Sequence, residues 1–130
     1  QPKLLKYVRQ HLLENRRAYL YSFYLDCFSA LDRAGLAWFR KHLLKRYLNE
    51  MKLKELSLGL DYLASSKIEP ARLKVLKDIR IFHGKEDKIA PIAEACSLKE
   101  ELPQAKFFKL EGVGHISFLG PVFKDRFYND

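Results

Sequence analysis

The first half of the chain carries apolar residues at helical spacing. Between residues 3 and 13 they fall on one face of a helix, at Leu4, Leu5, Val8 and Leu12. This pattern is typical of an amphipathic helix that packs on a core. Four segments show it: residues 3–13, 19–31, a third that begins near Asp32 or Gly35 and continues to Met51, and 53–63. We therefore expect residues 1–66 to form one helical domain.

Strands and helices alternate in the second half. The apolar runs predict these elements in chain order: strand Ile79–His83, helix Ile92–Leu102, strand Lys106–Leu110, and a mostly helical segment Ile116–Tyr128 that is interrupted near Gly120 and Pro121. A helix between two strands joins them as parallel neighbours. Two parallel strands alone do not make a stable sheet. Residues 67–130 are therefore predicted to be the last part of a larger α/β sheet, so the fold class is α/β with the earlier strands absent from the chain.

Composition sets the broad class. Hydrophobic residues make up 48% of the 130 residues, which is enough for a core, and no apolar run approaches the ~20 residues of a membrane-spanning helix. Cys27 and Cys96 match no metal-ligand or redox spacing, so we interpret them as buried thiols in a reducing cytoplasm. The chain starts at Gln1 and not at Met, and has no apolar signal segment. We expect further sequence upstream.

The positive charge is confined to the first part of the chain. Residues 1–54 hold 12 Lys and Arg against 4 Asp and Glu, whereas residues 55–130 hold 12 of each. A solvated helix face is one interpretation, and a docking surface for an acidic partner is another. Nucleic-acid binding is permitted by the pI of 9.5. It is disfavoured because no recognition motif is present and the aromatic residues do not lie on a strand that could stack bases.

Two polar side chains follow the two predicted strands. Asp87 comes after the first strand and His115 after the second. The carboxyl ends of parallel strands meet at one edge of a sheet, where adjacent strands lie about 4.8 Å apart. A carboxylate there can orient an imidazole and stabilise its protonated form. Gly112 and Gly114 would allow the sharp approach to His115, and His83 is expected to pack against the first turn or cap it.

The two turns resemble those of the α/β-hydrolases. "HGKEDKIAP" is similar to the turn that bears the acid of the catalytic triad, and "LEGVGHISFL" to the turn that bears its histidine. The resemblance implies that Asp87 is the acid, that His115 is the base, and that no metal or other cofactor is needed. None of the seven serines has a glycine two residues before and two after it. The nucleophile is therefore expected outside this chain, and the chain alone should not hydrolyse esters efficiently.

The helical part is similar to the cap of the pimeloyl-acyl-carrier-protein methyl ester esterases of biotin synthesis. The similarity rests on "PKLL", "FYLDCF" and "GLDYL", and with the two turns it spans nearly the whole chain. It implies carboxylic ester hydrolysis on an acidic carrier protein. Seven aromatics lie within residues 19–39, either as core packing or as a wall around an acyl chain. The candidate acyl-chain residues are Phe23, Tyr24 and Trp38. The candidate docking residues, taken from the arginines of the basic part, are Arg16, Arg17, Arg33 and Arg40.

Other functions fit the same residues. Within the hydrolase fold, the substrate could be another ester, a lactone or an epoxide. Outside enzymology, the chain could be a non-catalytic remnant that binds a carrier protein, or a basic helical module that binds nucleic acid.

Overall fold

The computed structural model describes residues 2–129. The helices and strands follow in this order: α1 Pro2–Asp26, α2 Arg33–Phe39, a π-helix Arg40–Leu44, α3 Lys45–Glu50, α4 Leu53–Ser65, α5 Pro70–Leu73, β1 Arg80–Gly84, α6 Ile92–Glu101, β2 Lys106–Leu110 and α7 Pro121–Asn129. Among residues 2–129, no helix combines the length and the apolar character that crossing a membrane requires.

The chain divides into two compact units. Residues 1–25 and 39–68 form the first, here called the helical unit, and residues 26–38 and 69–130 form the second, here called the sheet unit. The sequence predicted a single division after residue 66. The structure instead assigns residues 26–38 to the sheet unit, because that segment packs on the loop after β2, as described below.

Helix α1 joins two of the predicted helices across a kink. Asn15 has non-helical backbone angles, with φ −155° and ψ 86°. Its side-chain Oδ1 accepts a hydrogen bond from the backbone N–H of Ala18 at 3.0 Å. That is the geometry of an N-cap, in which a side-chain oxygen satisfies a free amide of the first helical turn. Asn15 therefore acts as the N-cap of the second half of α1.

Leucine side chains form the core of the helical unit. Leu12 and Leu20 of α1 pack with Leu48 of α3 and Leu60 of α4, and burying each is worth about 1.5–3 kcal/mol. Arg16 strengthens the same contact, since its guanidinium donates to the backbone carbonyls of Leu48 at 2.9 Å and Met51 at 2.6 Å. These carbonyls lie at the end of α3, where the last carbonyls of a helix have no backbone N–H within the helix to bind.

The sheet unit contains the predicted parallel pair. Strands β1 and β2 are hydrogen-bonded in parallel, with Arg80 opposite Lys106 and Gly84 opposite Leu110. Helix α6 is the crossover between them, as the sequence predicted. The rings of Phe82 and Phe108 stack across the two strands at 4.7 Å between centroids. Further ring contacts join Phe82 to Phe123 and Phe127 of α7, so that helix covers one face of the sheet. The architecture is α/β.

Two predicted helices are shorter than the apolar pattern suggested. The helix predicted over residues 19–31 ends at Asp26, and Leu31 is 74% exposed. A tight turn replaces its last residues, in which the backbone N–H of Leu31 donates to Ser29 Oγ and Asp32 caps α2 through the backbone N–H of Gly35. The segment predicted from Ile116 becomes helical only at Pro121, and proline is favoured at a first helical position.

Candidate active site

A tight turn after β1 fixes the side chain of Asp87. Its Oδ1 accepts hydrogen bonds from the backbone N–H groups of Ile89 at 2.8 Å and Ala90 at 2.9 Å. This is the local bonding that makes aspartate common in turns. The side chain is only 3% exposed. A carboxylate this buried needs such donors, because burial without them disfavours the charged form.

The loop after β2 is held against this turn by backbone hydrogen bonds. The N–H of Lys85 donates to the carbonyl of Leu110 at 2.9 Å, and the N–H of Glu86 donates to that of Val113 at 3.2 Å. Gly112 has φ +72°, a left-handed conformation that glycine adopts without strain. The chain can therefore turn sharply between the end of β2 and His115.

Gly84 allows the two turns to come this close. A Cβ atom at Gly84 would lie 2.3 Å from the carbonyl oxygens of Val113 and Gly114, far inside van der Waals contact. Both obstacles are backbone atoms, which cannot move aside as a flexible side chain could. The last residue of β1 therefore has to be glycine for the loop that carries His115 to approach.

The structure brings Asp87 and His115 together. His115 Nδ1 lies 2.9 Å from Asp87 Oδ2. An ionised carboxylate only accepts hydrogen bonds, so Nδ1 carries the proton and Nε2 is left with a lone pair. The ring is 41% exposed, and Nε2 has no hydrogen-bond partner within residues 2–129. The pair can thus accept a proton at Nε2 and stabilise the resulting imidazolium, as an acid–base pair requires.

A segment that the sequence analysis missed supports His115. The carbonyl of Cys27 accepts a hydrogen bond from the N–H of Ile116 at 3.1 Å. Gly114 lies so close to this segment that a Cβ there would be 2.7 Å from the Cys27 oxygen and 2.9 Å from the nitrogen of Ser29. The local pattern gave no signal for it, because residues 19–31 looked like continuous helix. These contacts explain why residues 26–38 belong to the sheet unit.

The thiol of Cys27 is not a nucleophile at neutral pH. Cys27 is buried, and burial, followed by the negative charges of Asp87 and Asp26, raises the pKa of its thiol to about 12. The attacking form of cysteine is the thiolate, which is scarce far below the pKa. This buried thiol near the acid therefore does not substitute for a serine.

His83 makes the contact that the sequence predicted and one that it did not. Its Nε2 lies 2.9 Å from the carbonyl oxygen of Ala90, which caps the Asp87 turn. The same nitrogen lies 3.3 Å from Asp87 Oδ2, the oxygen that His115 contacts. Both histidines of the sheet unit therefore face one carboxylate oxygen.

The predicted acyl-chain residues are divided between the two units. Phe23 and Tyr24 lie in the helical unit, where the Tyr24 ring contacts those of Phe23, Phe39 and Tyr47 at 5.5–5.9 Å between centroids. Trp38 lies in the sheet unit and is 46% exposed. The core-packing interpretation therefore describes Tyr24 well, and a role for these three residues in binding an acyl chain stays a prediction.

The four predicted docking arginines differ in their surroundings. Arg16 is occupied by the backbone carbonyls at the end of α3, and Arg17 donates to Asn49 Oδ1 at 2.8 Å. Arg40 is exposed in the π-helix of the helical unit, whereas Arg33 is exposed at the start of α2 in the sheet unit. Within the described part of the chain, no cluster of three or more His, Cys, Asp or Glu side chains is placed to hold a metal ion.

Comparison with known proteins defines the class of fold. No family model matches the sequence, and no curated protein matches it. The structure is similar to a solved esterase, EaEST from Exiguobacterium antarcticum, with a TM-score of 0.73 and 17% sequence identity. The match covers 96% of this chain and 44% of that one, so the chain spans less than half the length of the esterase. The chain therefore has a fold similar to part of that esterase.

Proposed function

We propose that this chain supplies the acid and the base of a serine-dependent carboxylic ester hydrolase. The observation that carries the proposal is the 2.9 Å contact between His115 Nδ1 and Asp87 Oδ2. It lies at the carboxyl ends of two parallel strands, where α/β enzymes hold their catalytic groups. The nucleophile is a serine outside these 130 residues, as the order of the triad in this fold implies.

The mechanism assigns each residue one task. The proton of the serine hydroxyl passes to His115 Nε2 as the serine oxygen attacks the ester carbonyl. The imidazolium then gives that proton to the departing alkoxide, which leaves an acyl-enzyme and an alcohol. Water repeats the sequence and releases the carboxylic acid. Asp87 stays ionised throughout, because it holds the ring in one tautomer and stabilises its positive charge.

The proposed substrate is a methyl ester of an acyl chain attached to an acyl carrier protein, as in biotin synthesis. Support comes from the resemblance of the helical part and from the distribution of charge. The segments of the helical unit hold 12 Lys and Arg against 4 Asp and Glu, and those of the sheet unit hold 12 of each. A strongly basic surface attracts an acidic carrier and speeds its association.

The surroundings of the arginines refine where such a carrier would dock. Arg16 is held by backbone carbonyls, so its charge is the least available of the four. Arg40 and its neighbour Lys41 are exposed, and neither makes a hydrogen bond or ion pair within residues 2–129. We therefore propose that Arg40 and Lys41 contribute more to carrier docking than Arg16.

The activity is tested with the full-length protein. We expect a fluorophosphonate probe to label one serine, and we expect turnover of pimeloyl-carrier methyl ester to exceed turnover of the free methyl ester. Equal turnover of the two would point to another ester. Turnover of a lactone or an epoxide in preference to both would replace the substrate assignment. Labelling and turnover both absent would contradict the proposed activity.

Docking is tested separately from chemistry. The double variant Arg40→Glu, Lys41→Glu should weaken carrier binding by about tenfold, in line with two lost charge contacts of up to about 1 kcal/mol each. Turnover of a free methyl ester should not change. Lys106→Glu, Lys124→Glu in the sheet unit, both exposed, is the matched control. Carrier binding without any turnover would favour a non-catalytic role, and tighter binding to DNA than to the carrier would favour the nucleic-acid module.

A further inference from the structure

We infer that His83 is a positioning residue for the acid–base pair, acting on the Asp87 oxygen that His115 contacts. The inference deepens the proposed function and rests on it for its catalytic meaning. It starts from one distance, the 3.3 Å between His83 Nε2 and Asp87 Oδ2.

The proton of His83 can be assigned from its neighbours. Its Nε2 lies 2.9 Å from the carbonyl oxygen of Ala90. A carbonyl only accepts hydrogen bonds, so Nε2 must carry a proton. The N–H donates to the Ala90 oxygen, and Asp87 Oδ2 lies 3.3 Å from the same nitrogen without a hydrogen bond. His83 therefore places a polar N–H beside the acid, whatever the charge of its ring.

His83 closes the turn that holds the acid. Asp87 Oδ1 accepts the N–H groups of Ile89 and Ala90, and His83 binds the carbonyl of the same Ala90. The turn is thus held by its own aspartate on one side and by a strand residue on the other. His83 is the fourth residue of the five-residue strand β1, so it links the acid to the sheet.

The electrostatic consequence falls on His115. Asp87 Oδ2 lies 2.9 Å from His115 Nδ1 and 3.3 Å from His83 Nε2. Two other ionisable groups lie nearby: the thiol of Cys27, and Asp26, whose charge acts on that thiol together with the charge of Asp87. A polar N–H close to a carboxylate offsets part of its negative charge, so the carboxylate stabilises the His115 imidazolium less. Without the His83 N–H, Asp87 would hold the proton on His115 more tightly.

The experiment measures the titration of His115 in the full-length protein by ¹⁵N NMR of the imidazole rings. In His83→Leu we expect the pKa of His115 to rise by about half a unit, a threefold change in its protonation equilibrium. His83→Gln should restore the original titration, because the glutamine amide nitrogen can lie near the position of Nε2. His83→Asn keeps a polar side chain with its donor too far away, so it should behave as His83→Leu does and replaces that variant if it fails to fold.

The outcome separates this inference from the proposed function. A His115 titration that stays unchanged or falls in both His83→Leu and His83→Asn would overturn the positioning role, even if the protein hydrolyses esters. A rise that His83→Gln reverses would support it, even if no ester is turned over. In an active enzyme, the acidic limb of the plot of kcat/KM against pH should shift to higher pH by the same half unit.

Discussion

The helical unit and the sheet unit use their polar residues differently. In the helical unit, leucines form the core and the excess of eight positive charges lies in its segments. In the sheet unit, charges balance, and one buried carboxylate is surrounded by two histidines and two backbone amides. The comparison places the Asp87–His115 pair within the sheet unit and the excess positive charge in the segments of the helical unit, which under the proposed function would attract an acidic carrier.

Replacing the acid should have the largest effect. In Asp87→Asn, the amide keeps the shape of the side chain but cannot hold the Nδ1–H tautomer as a carboxylate does. We expect kcat on a short methyl ester to fall by about 10³- to 10⁴-fold, with the circular dichroism spectrum unchanged. Asp61→Asn, which removes an exposed carboxylate of the helical unit that pairs with Arg9, is the control. A loss below tenfold for Asp87→Asn would show that the chemistry does not depend on this residue.

Truncation in the leucine core should separate stability from chemistry. Leu48→Ala leaves a cavity among Leu12, Leu20 and Leu60 and should lower the free energy of unfolding by about 2–5 kcal/mol. Leu13→Ala changes an exposed leucine of α1 and should stay within about 0.5 kcal/mol. Urea unfolding measures both. If Leu48→Ala were as stable as Leu13→Ala, the leucine cluster would not be the core of the helical unit.

Two glycine substitutions provide a matched comparison of the units. Gly84→Ala places a methyl group 2.3 Å from two backbone oxygens, so we expect a loss of about 3 kcal/mol together with displacement of His115. Gly59→Ala in α4 meets no atom within 4 Å and should stabilise the protein by about 0.5–1 kcal/mol, since alanine is the better helix former. Thermal unfolding of the two variants checks the signs. Equal shifts would mean that the turns after β1 and β2 are not packed as described.

The sequence predicted the contact between Asp87 and His115, but it did not predict the segment that packs against the loop carrying His115. The strands and the positions of Asp87 and His115 follow from short apolar runs that end on polar turns, so their meeting could be anticipated from the parallel connection alone. The contacts of Cys27 and Ser29 with Gly114 could not, because they join residues that lie about 85 apart in sequence. Nothing in the local apolar pattern distinguishes Leu31, which is exposed, from Leu20, which is buried.

The smallest expected effect is the pH dependence caused by Cys27. Its pKa is raised to about 12 in the folded protein from an ordinary value of 9.0. Above pH 9 the unfolded thiol loses its proton while the folded thiol keeps it. The free energy of unfolding should therefore fall as pH rises from 9 towards 12.

Urea unfolding at pH 8, 9 and 10 checks this, with Cys27→Ala as the variant that should show a shallower decline. Cys96→Ala is the control, because Cys96 is only partly buried. Identical pH dependence in wild type and Cys27→Ala would contradict the burial that raises the pKa of this thiol.

The most direct test of the account is the turnover of a short methyl ester by the full-length protein carrying His115→Ala, beside His11→Ala in the helical unit. The account predicts that kcat/KM falls by about 10³-fold or more in His115→Ala, because the serine then lacks its base, and that it is unchanged in His11→Ala. Equal turnover in the two variants, with both folded, would contradict the assignment of His115 as the catalytic base.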